Sequence, residues 1–383
     1  MEPVAILLAF LQLRLACATY DDAFPRCSSC LSAVQHDAPG IGFGLTPNTG
    51  TVSAHLFNET ILDIAEISAE HEYQALMLRL TTAPRPEPLS SWEKLSRTIN
   101  KSLGRPATAD VGILARHLGR LRDAAQRRLP GQDVDSVAIS LSPVRGLRLE
   151  DVEDALTHVG LKSWIRSDHV QAGLYPTLLT EPHAVYAAHG QGLCHDYKNL
   201  FECWEEEEHF ARETLLVAGL TPTELRVEVA QLKAPFAWCQ ALKDYVIELR
   251  AGLDSLPVFA SPQAYWEHVQ TTLEAFLSQI RGPLPTSIML LSADATRPEF
   301  SQALRHALSH YHYIGTNLTE PKYHTALLGF PDQFGPSRGA AQYARWRREA
   351  PLGCREDKRC DDERDKERSG VSKLVPGLKG ELK

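Results

Sequence analysis

The glycine-rich stretch GIGFGLTPNTGTVSAHLF, residues 40–57, has the residue types of a phosphate-binding hairpin. Its pattern predicts a strand, a tight turn and a second strand, and successive backbone N–H groups in such a turn bind anions. Gly42, Gly44 and Thr46 are the residues that we expect to lie nearest to a phosphate. Gly42 stands where such a loop would carry a carboxylate to work with a metal ion, and glycine cannot hold a metal.

The elements that would position these residues alternate between strands and helices. Apolar runs predict strands in residues 40–80, 134–144, 213–232 and 287–295, the third as two strands joined by a Thr-Pro turn. Apolar residues at helical spacing predict helices in residues 91–103, 110–129, 148–161, 181–193, 262–280 and 297–311. This alternation predicts an α/β fold with mixed sheets.

The order of these pieces resembles the actin-like ATPase superfamily, which has a ribonuclease H-like fold. The segments EPHAVYAAHG, IMLLSADATRPEF and SRGAAQYA are similar to motifs of the nucleotide-binding domain of DnaK-type heat-shock chaperones. The resemblance spans roughly residues 40–348. It implies two lobes, residues 40–180 and 181–350, that close over ATP or ADP with magnesium. It also implies a trimmed outer subdomain, and no peptide-binding domain follows Gly339.

The resemblance assigns roles to individual residues and shows which of them are altered. The phosphate-loop aspartate of the family falls at Gly42, and the second phosphate loop keeps one glycine, Gly219. Further candidate nucleotide-binding residues are Ser292, Asp294, Arg297 and Gly339, with Ser292 standing where the family has glycine. The resemblance gives Glu181 a role near metal-bound water, and the alternative is an ordinary acidic residue at a helix N-terminus.

These losses predict a catalytically impaired pseudo-ATPase that acts as a binding or scaffold protein for a protein partner not identified by the sequence. One alternative is a weak ATP-binding or ATP-hydrolysing chaperone-like regulator. Another is a glycoprotein with a purely structural role. The chain has no GxSxG nucleophile elbow and no Walker-type P-loop, so other hydrolase and kinase classes lack support.

Several features of the sequence predict secretion. Residues 1–18 have the apolar run and the small residues of a signal peptide, and a Cys-containing lead, residues 19–39, follows. The alternative is a buried N-terminal element in a cytoplasmic protein. Asn58, Asn100 and Asn317 lie in glycosylation sequons. Three sequence-local disulfides are expected, namely Cys27–Cys30, Cys194–Cys203 and Cys354–Cys360.

Charge and hydropathy exclude other classes. The chain has 40 Lys plus Arg and 48 Asp plus Glu, and its net charge of −8 argues against nucleic-acid binding. No segment reaches the length of a transmembrane helix.

His306 and His310 have i, i+4 spacing suited to a metal, although a surface or core role is the simpler interpretation. Residues 351–383 are highly charged, and we expect this tail to be largely disordered.

Overall fold

The computed structural model describes residues 27–142, 144–163, 179–198, 200–236, 242–248, 251–280, 285–315, 326–327, 333–350 and 356–374. The predicted signal peptide, Asn317 and Cys354 lie outside these ranges.

The first half of the chain builds one mixed sheet. Its strands are β1 (Gly40–Leu45), β2 (Thr49–His55), β3 (Ile61–Ser68), β4 (Ser136–Leu141), β5 (Lys162–Ser163) and β6 (Leu179–Thr180). The order is β3-β2-β1-β4-β5, and β6 also pairs with β4. Strands β1 to β3 form an antiparallel meander, whereas β4 runs parallel to β1, and β5 and β6 run parallel to β4.

The second half repeats this arrangement. Its strands are β7 (Glu213–Leu220), β8 (Leu225–Leu232), β9 (Leu242–Glu248), β10 (Ser287–Leu290) and β11 (Ala326–Leu327). The order is β9-β8-β7-β10-β11, with an antiparallel meander of β7 to β9. Strand β10 runs parallel to β7, and β11 runs parallel to β10. The predicted α/β class with mixed sheets is confirmed, and both sheets have the same strand order and directions.

Eleven helices are found in the described ranges. They are α1 (Ala33–Asp37), α2 (His71–Thr82), α3 (Ser91–Ser102), α4 (Ala109–Arg128), α5 (Leu149–His158), α6 (Glu181–Ala188), α7 (Leu200–His209), α8 (Pro262–Gln279), α9 (Pro298–Gly315), α10 (Gly335–Glu349) and α11 (Lys358–Leu374). Two 3₁₀ segments, Leu253–Val258 and Ala293–Thr296, precede α8 and α9.

Local signals explain where several helices begin and end. Ser90 and Glu93 form a reciprocal capping box at the start of α3, which satisfies N–H groups that have no partner within the helix. Ser261 caps α8, and Pro262 occupies its first turn, where a missing N–H costs nothing. Gly160 follows α5 with a φ of 76°, a conformation that glycine adopts without strain.

Each sheet has its own apolar core. The first forms between one face of the first sheet and helices α2, α4 and α5, and the second between the second sheet and helices α8 and α9. Helix α10 lies against β1, β2 and β4 and also against α6. It therefore covers the other face of the first sheet. Every helix in the described ranges is too short or too polar to cross a lipid bilayer.

Residues 71–82 differ from the prediction. The run EYQALMLRLT was expected to be strand, but it lies in helix α2. Tyr73, Leu76, Met77 and Leu80 are buried at spacings of three, one and three residues. This is the period of a helix that packs one face on a core, and the Ala, Leu, Met, Gln and Arg residues of the run are strong helix formers.

The disulfides also correct the prediction. Cys194–Cys203 is present as expected, but Cys30 pairs with Cys360 across 330 residues of sequence. The expected Cys27–Cys30 and Cys354–Cys360 pairs are therefore wrong, although Cys27 is itself disulfide-bonded. Sequence proximity suggested the local pairs, but the fold places the lead segment beside the C-terminal region, where the two thiols meet.

The C-terminal tail is more ordered than its composition predicts. Residues 358–374 form α11, which contacts α1. Arg368 bonds both carboxylate oxygens of Asp37, at 2.6 and 2.8 Å, and Glu367 accepts a hydrogen bond from the backbone N–H of Ala33. These charged contacts, together with the Cys30–Cys360 bond, stabilise a helix that has too few apolar residues to build a core of its own.

Candidate functional site

The glycines of the predicted first phosphate loop lie in strand β1, against helix α10. A Cβ atom added to Gly42 would overlap the backbone of Ser337 and Ala341, and one added to Gly40 would overlap the backbone of Ala341 and Arg345. Gly44 faces the same helix, and its Cβ would lie 2.6 Å from Oγ1 of Thr51. The absence of side chains lets the helix approach the strand at backbone distance. An aspartate at position 42 has no room unless α10 moves.

Gly339 makes the same kind of contact on the opposite side of α10. Its Cβ would overlap the backbone carbonyl of Ala184 in α6. Ser337 in the first turn of α10 shares a hydrogen bond of 2.8 Å with Ser53 of β2, hydroxyl to hydroxyl. Helix α10 is thus held closely between the first sheet and α6.

The tight turns of the two hairpins contact each other directly. Thr46 organises the β1–β2 turn, because its hydroxyl accepts the backbone N–H of Thr49 at 3.0 Å. Asn48 in this turn donates from Nδ2 to Oγ1 of Thr221 at 2.8 Å and accepts at Oδ1 from the hydroxyl of Thr223 at 2.9 Å. These hydrogen bonds join the two predicted phosphate loops directly to each other.

The candidates of the second half are also engaged in structural contacts. The Ser292 hydroxyl donates to the backbone carbonyl of Leu220 at 2.6 Å and accepts its N–H at 3.1 Å, which fixes the end of β10 to the end of β7. Asp294 and Arg297 form a 3.0 Å ion pair with each other near the surface. Gly219, by contrast, has space: an added Cβ would come no closer than 3.6 Å to any neighbour, the nearest being Nη2 of Arg226.

Glu181 lies at the start of α6 in a buried cluster of charged side chains. Its Oε1 accepts a hydrogen bond of 2.9 Å from Nη2 of Arg226, a residue of β8. Nη1 of Arg226 bonds Oε1 of Glu224 at 3.0 Å, and its Nε lies 3.6 Å from Oε1 of Glu228. None of the four side chains is more than 3% exposed. We call Glu181, Glu224, Arg226 and Glu228 the buried charge cluster.

Three carboxyls share one guanidinium in this cluster, so they cannot all be ionised at low cost. Burial, and then the charge of Glu181, raises the pKa of Glu228 well above its ordinary value of 4.5. Burial also raises the pKa of Glu181 and of Glu224, and the charge of Arg226 opposes both shifts. Glu228 is therefore the carboxyl of the cluster that most favours its protonated form, since the guanidinium of Arg226 makes its hydrogen bonds to Glu181 and Glu224.

This arrangement does not fit magnesium and a nucleotide. The resemblance gives Glu181 a role near metal-bound water, but its carboxylate is already paired with the guanidinium of Arg226. A metal ion would have to break this buried, charge-assisted hydrogen bond. The glycines of β1 are covered by α10, and the two hairpin turns are bonded to each other. The cluster can hold the two halves in one arrangement.

Sequence reasoning missed Arg226, Glu224 and Glu228. They alternate with Leu225, Val227 and Val229, which predicts a strand with one solvent-exposed face. Both faces are in fact buried. The only available signal was the unusual combination of two acids flanking one arginine at i, i+2 and i+4 on a strand that ends in apolar residues.

The remaining candidates lie elsewhere. Asn58 is exposed in the β2–β3 turn, and Asn100 in α3 is half-buried, its Nδ2 donating to the carbonyl of Ala107 at 3.0 Å. His306 is exposed and lies 3.3 Å from Oε1 of Glu274 on α8. Four consecutive glutamates, residues 205–208, lie in α7, where burial raises the pKa of Glu207 to about 7.

Two pockets open on the surface of the first half. One, of about 360 Å³, is lined by Glu66, Ile67, Ser68, Arg120, Asp123 and Arg127. The other, of about 230 Å³, is lined by Lys101, Gly104, Arg105, Ala107, Asp154, Thr157 and His158. Neither includes a candidate nucleotide-binding residue. No known protein family matches this chain, and no curated protein has significant sequence similarity to it.

Proposed function

We propose that this protein is a degenerate member of the actin-like ATPase superfamily and acts as a binding or scaffold protein rather than as an ATPase. The duplicated sheets, each with packed helices, support the two-lobed fold that the resemblance implies. The motifs in EPHAVYAAHG and SRGAAQYA lie on α6 and α10, two helices that pack against each other between the sheets.

One observation supports the proposal that nucleotide chemistry has been lost. The buried guanidinium of Arg226 pairs with Glu181, the residue that the resemblance places beside metal-bound water. A magnesium ion at this position would meet a fixed positive charge, and the repulsion in a buried site is strong. The hydrogen bonds from Asn48 to Thr221 and Thr223 would also have to break before phosphates could enter.

We further propose that the protein works in the secretory pathway. The Cys30–Cys360 and Cys194–Cys203 disulfides favour an oxidising compartment, since cytosolic thiols are kept reduced. ATP is scarce outside the cell, so a secreted protein would have little use for an ATPase cycle. This agrees with the altered residues of the predicted nucleotide site.

The test is titration calorimetry of ATP and ADP into the purified protein, with and without magnesium, together with thermal unfolding at millimolar nucleotide. We expect no heat of binding and no change in Tm, because only a ligand that binds the folded state raises stability. Glu181→Gln is the informative variant, and Glu299→Gln, an exposed acid on α9, is its matched control. Magnesium-dependent binding that Glu181→Gln abolishes and Glu299→Gln leaves intact would establish the alternative, a weak nucleotide-dependent regulator.

A further inference from the structure

Helix α11 faces the rest of the protein with a cysteine and two arginines instead of apolar side chains. Cys360 and Arg364 are the buried residues among positions 358–369, with 2% and 3% of their surface exposed. Arg368, four positions further along, is half-buried. Residues four positions apart share one side of a helix, so these three form the inward side of α11. A helix that docks in this way has little hydrophobic attraction to its support.

The contacts that α11 makes with α1 are polar and lie near the surface. Arg368 pairs with Asp37, and these side chains are 35% and 28% exposed. The exposed Glu367 accepts the backbone N–H of Ala33 at 2.7 Å. An ion pair at the surface shifts an equilibrium by about fivefold at most. The Cys30–Cys360 disulfide is therefore the strong link between α11 and the lead segment.

Helix α1, on the other side of this link, is held independently of α11. Nη1 of Arg345 donates to the carbonyl of Ala38 at 3.0 Å, and Nη1 of Arg348 donates to the carbonyl of Gln35 at 3.1 Å. Both arginines are buried residues of α10. The lead segment thus has its own attachment to the first half of the chain, and α11 is the side of the disulfide that can leave.

The Cys30–Cys360 and Cys194–Cys203 disulfides differ in their access to solvent. Cys30 is half-buried, whereas Cys194 and Cys203 are only 4% and 9% exposed. Cys360 is buried, so an incoming thiolate reaches its disulfide from the side of Cys30. Thiol–disulfide exchange requires this access, and exposed disulfides are the labile ones. The Cys30–Cys360 bond should therefore react before the Cys194–Cys203 bond.

We propose that the Cys30–Cys360 disulfide is a redox switch for the C-terminal helix: a dithiol reductant opens this bond, and α11 then leaves α1 as a charged, unfolded arm. A charged helix of 17 residues without packing is marginal in water, so the released segment loses its helical structure. The chain presents a docked helix in an oxidising compartment and a free arm in a reducing one. This inference does not depend on whether the protein binds nucleotide.

The exchange proceeds in two steps. A thiolate of the dithiol forms a bond to Sγ of Cys30, the bond between Cys30 and Cys360 breaks, and Cys360 leaves as a thiolate that takes up a proton. The second thiol of the reductant then loses its proton and attacks the reductant sulfur of the mixed disulfide. Cys30 leaves as a thiolate and is protonated in turn. The two cysteines are reduced to thiols, and the dithiol is oxidised to a disulfide.

Titration of the full-length purified protein with dithiothreitol at neutral pH tests the proposal. Alkylation and mass spectrometry of the cysteine peptides measure which bond has opened at each concentration. We expect Cys30–Cys360 to open at a reductant concentration at least about tenfold below that required for Cys194–Cys203. Hydrogen exchange is measured on the same samples. Amides of residues 358–369 should exchange at least about 100-fold faster once the bond is open, while those of α10 keep their protection.

Variants separate this disulfide from the others. Cys30→Ser combined with Cys360→Ser should give fast exchange in α11 without reductant. The matched control, Cys194→Ser combined with Cys203→Ser, should leave exchange in α11 unchanged. Cys27 is itself disulfide-bonded and is not altered in either variant, so fast exchange in the first variant assigns the switch to Cys30–Cys360. If a variant fails to fold, the titration of the wild-type protein decides the question.

The proposal is overturned if the amides of α11 stay protected after Cys30–Cys360 has opened. It is also overturned if Cys194–Cys203 opens first or at the same reductant concentration. Loss of protection in α10 together with α11 would overturn it as well, because the bond would then hold the whole fold rather than the C-terminal helix.

Discussion

Arg226 of β8 and Glu181 of α6 form a buried ion pair, with 2.9 Å between Nη2 and Oε1, that links the second sheet to the helix following the first sheet. The pair helps to hold the two halves of the chain together.

Removing the guanidinium should destabilise the protein strongly. We expect Arg226→Met to lower the free energy of unfolding by about 3–5 kcal/mol, because three buried carboxyls lose their counter-ion. Urea unfolding at neutral pH measures the change. Arg297→Met is the control: its ion pair with Asp294 is half-exposed, and we expect a loss of at most about 1 kcal/mol. Equal losses of stability in the two variants would show that the three buried carboxyls do not depend on the charge of Arg226.

The raised pKa of Glu228 predicts a pH dependence of the free energy of unfolding. In the unfolded chain this carboxyl ionises near pH 4.5, whereas in the folded protein its pKa is raised. The folded state therefore binds the proton more tightly, and the contribution of this group to stability is complete below pH 4.5 and is lost as pH rises toward the raised pKa.

Glu228→Gln isolates that contribution, because glutamine resembles the protonated acid but does not titrate. We expect the variant to gain stability relative to the wild type as pH rises above 4.5. The measurement is the difference in urea midpoint between the two proteins at several pH values. Exposed Glu299→Gln serves as the control, with a difference that should not vary in the same way. A difference that does not change with pH would mean that the pKa of Glu228 is not raised in the folded protein.

The packing role of the β1 glycines can be separated from a phosphate-binding role. Gly42→Ala should destabilise by about 1–3 kcal/mol or more, because the new methyl group overlaps the backbone of α10, which cannot rotate away. Gly219→Ala, in the other predicted phosphate loop, has 3.6 Å of clearance and should stay within about 1 kcal/mol of wild type. Thermal unfolding in the absence of nucleotide is sufficient. Similar Tm values for the two variants would contradict the close approach of α10 to β1.

The sequons differ in their local structure, which predicts unequal glycosylation if the chain enters the secretory pathway. Asn58 is exposed in the turn between β2 and β3, so its side chain is accessible from solvent. The Asn100 side chain is half-buried and bonded to the carbonyl of Ala107. We expect full occupancy at Asn58 and lower occupancy at Asn100.

Mass spectrometry of the secreted protein before and after glycosidase treatment measures both occupancies. Asn58→Gln and Asn100→Gln provide the references, since each removes one acceptor. Complete glycosylation at Asn100 would show that the modification precedes the ordering of α3, and an unmodified Asn58 would argue against passage through the pathway.

Local patterns in the sequence were enough to determine the fold class and most of the secondary structure. The strands β4, β7, β8 and β10 and the helices α3 to α6, α8 and α9 follow from apolar periodicity, which is a property of neighbouring residues. The Gly-rich β1–β2 hairpin was also predictable. The helix over residues 71–82 was missed although its apolar residues have helical spacing, so the strand prediction disregarded a signal that the sequence carries.

Only the tertiary structure determined the roles of the predicted site residues. Whether Gly42 faces a phosphate or a helix depends on α10, a segment about 300 positions away in the chain. Alternation on β8 shows that Glu224, Arg226 and Glu228 share one face, but not that α6 covers it. The Cys30–Cys360 disulfide likewise forms because the fold brings two segments that are distant in the sequence together. Sequence periodicity shows which side of a helix or strand is apolar. Contacts between segments that are distant in the sequence determine which element packs against each side. The pKa and the role of a buried side chain depend on that packing.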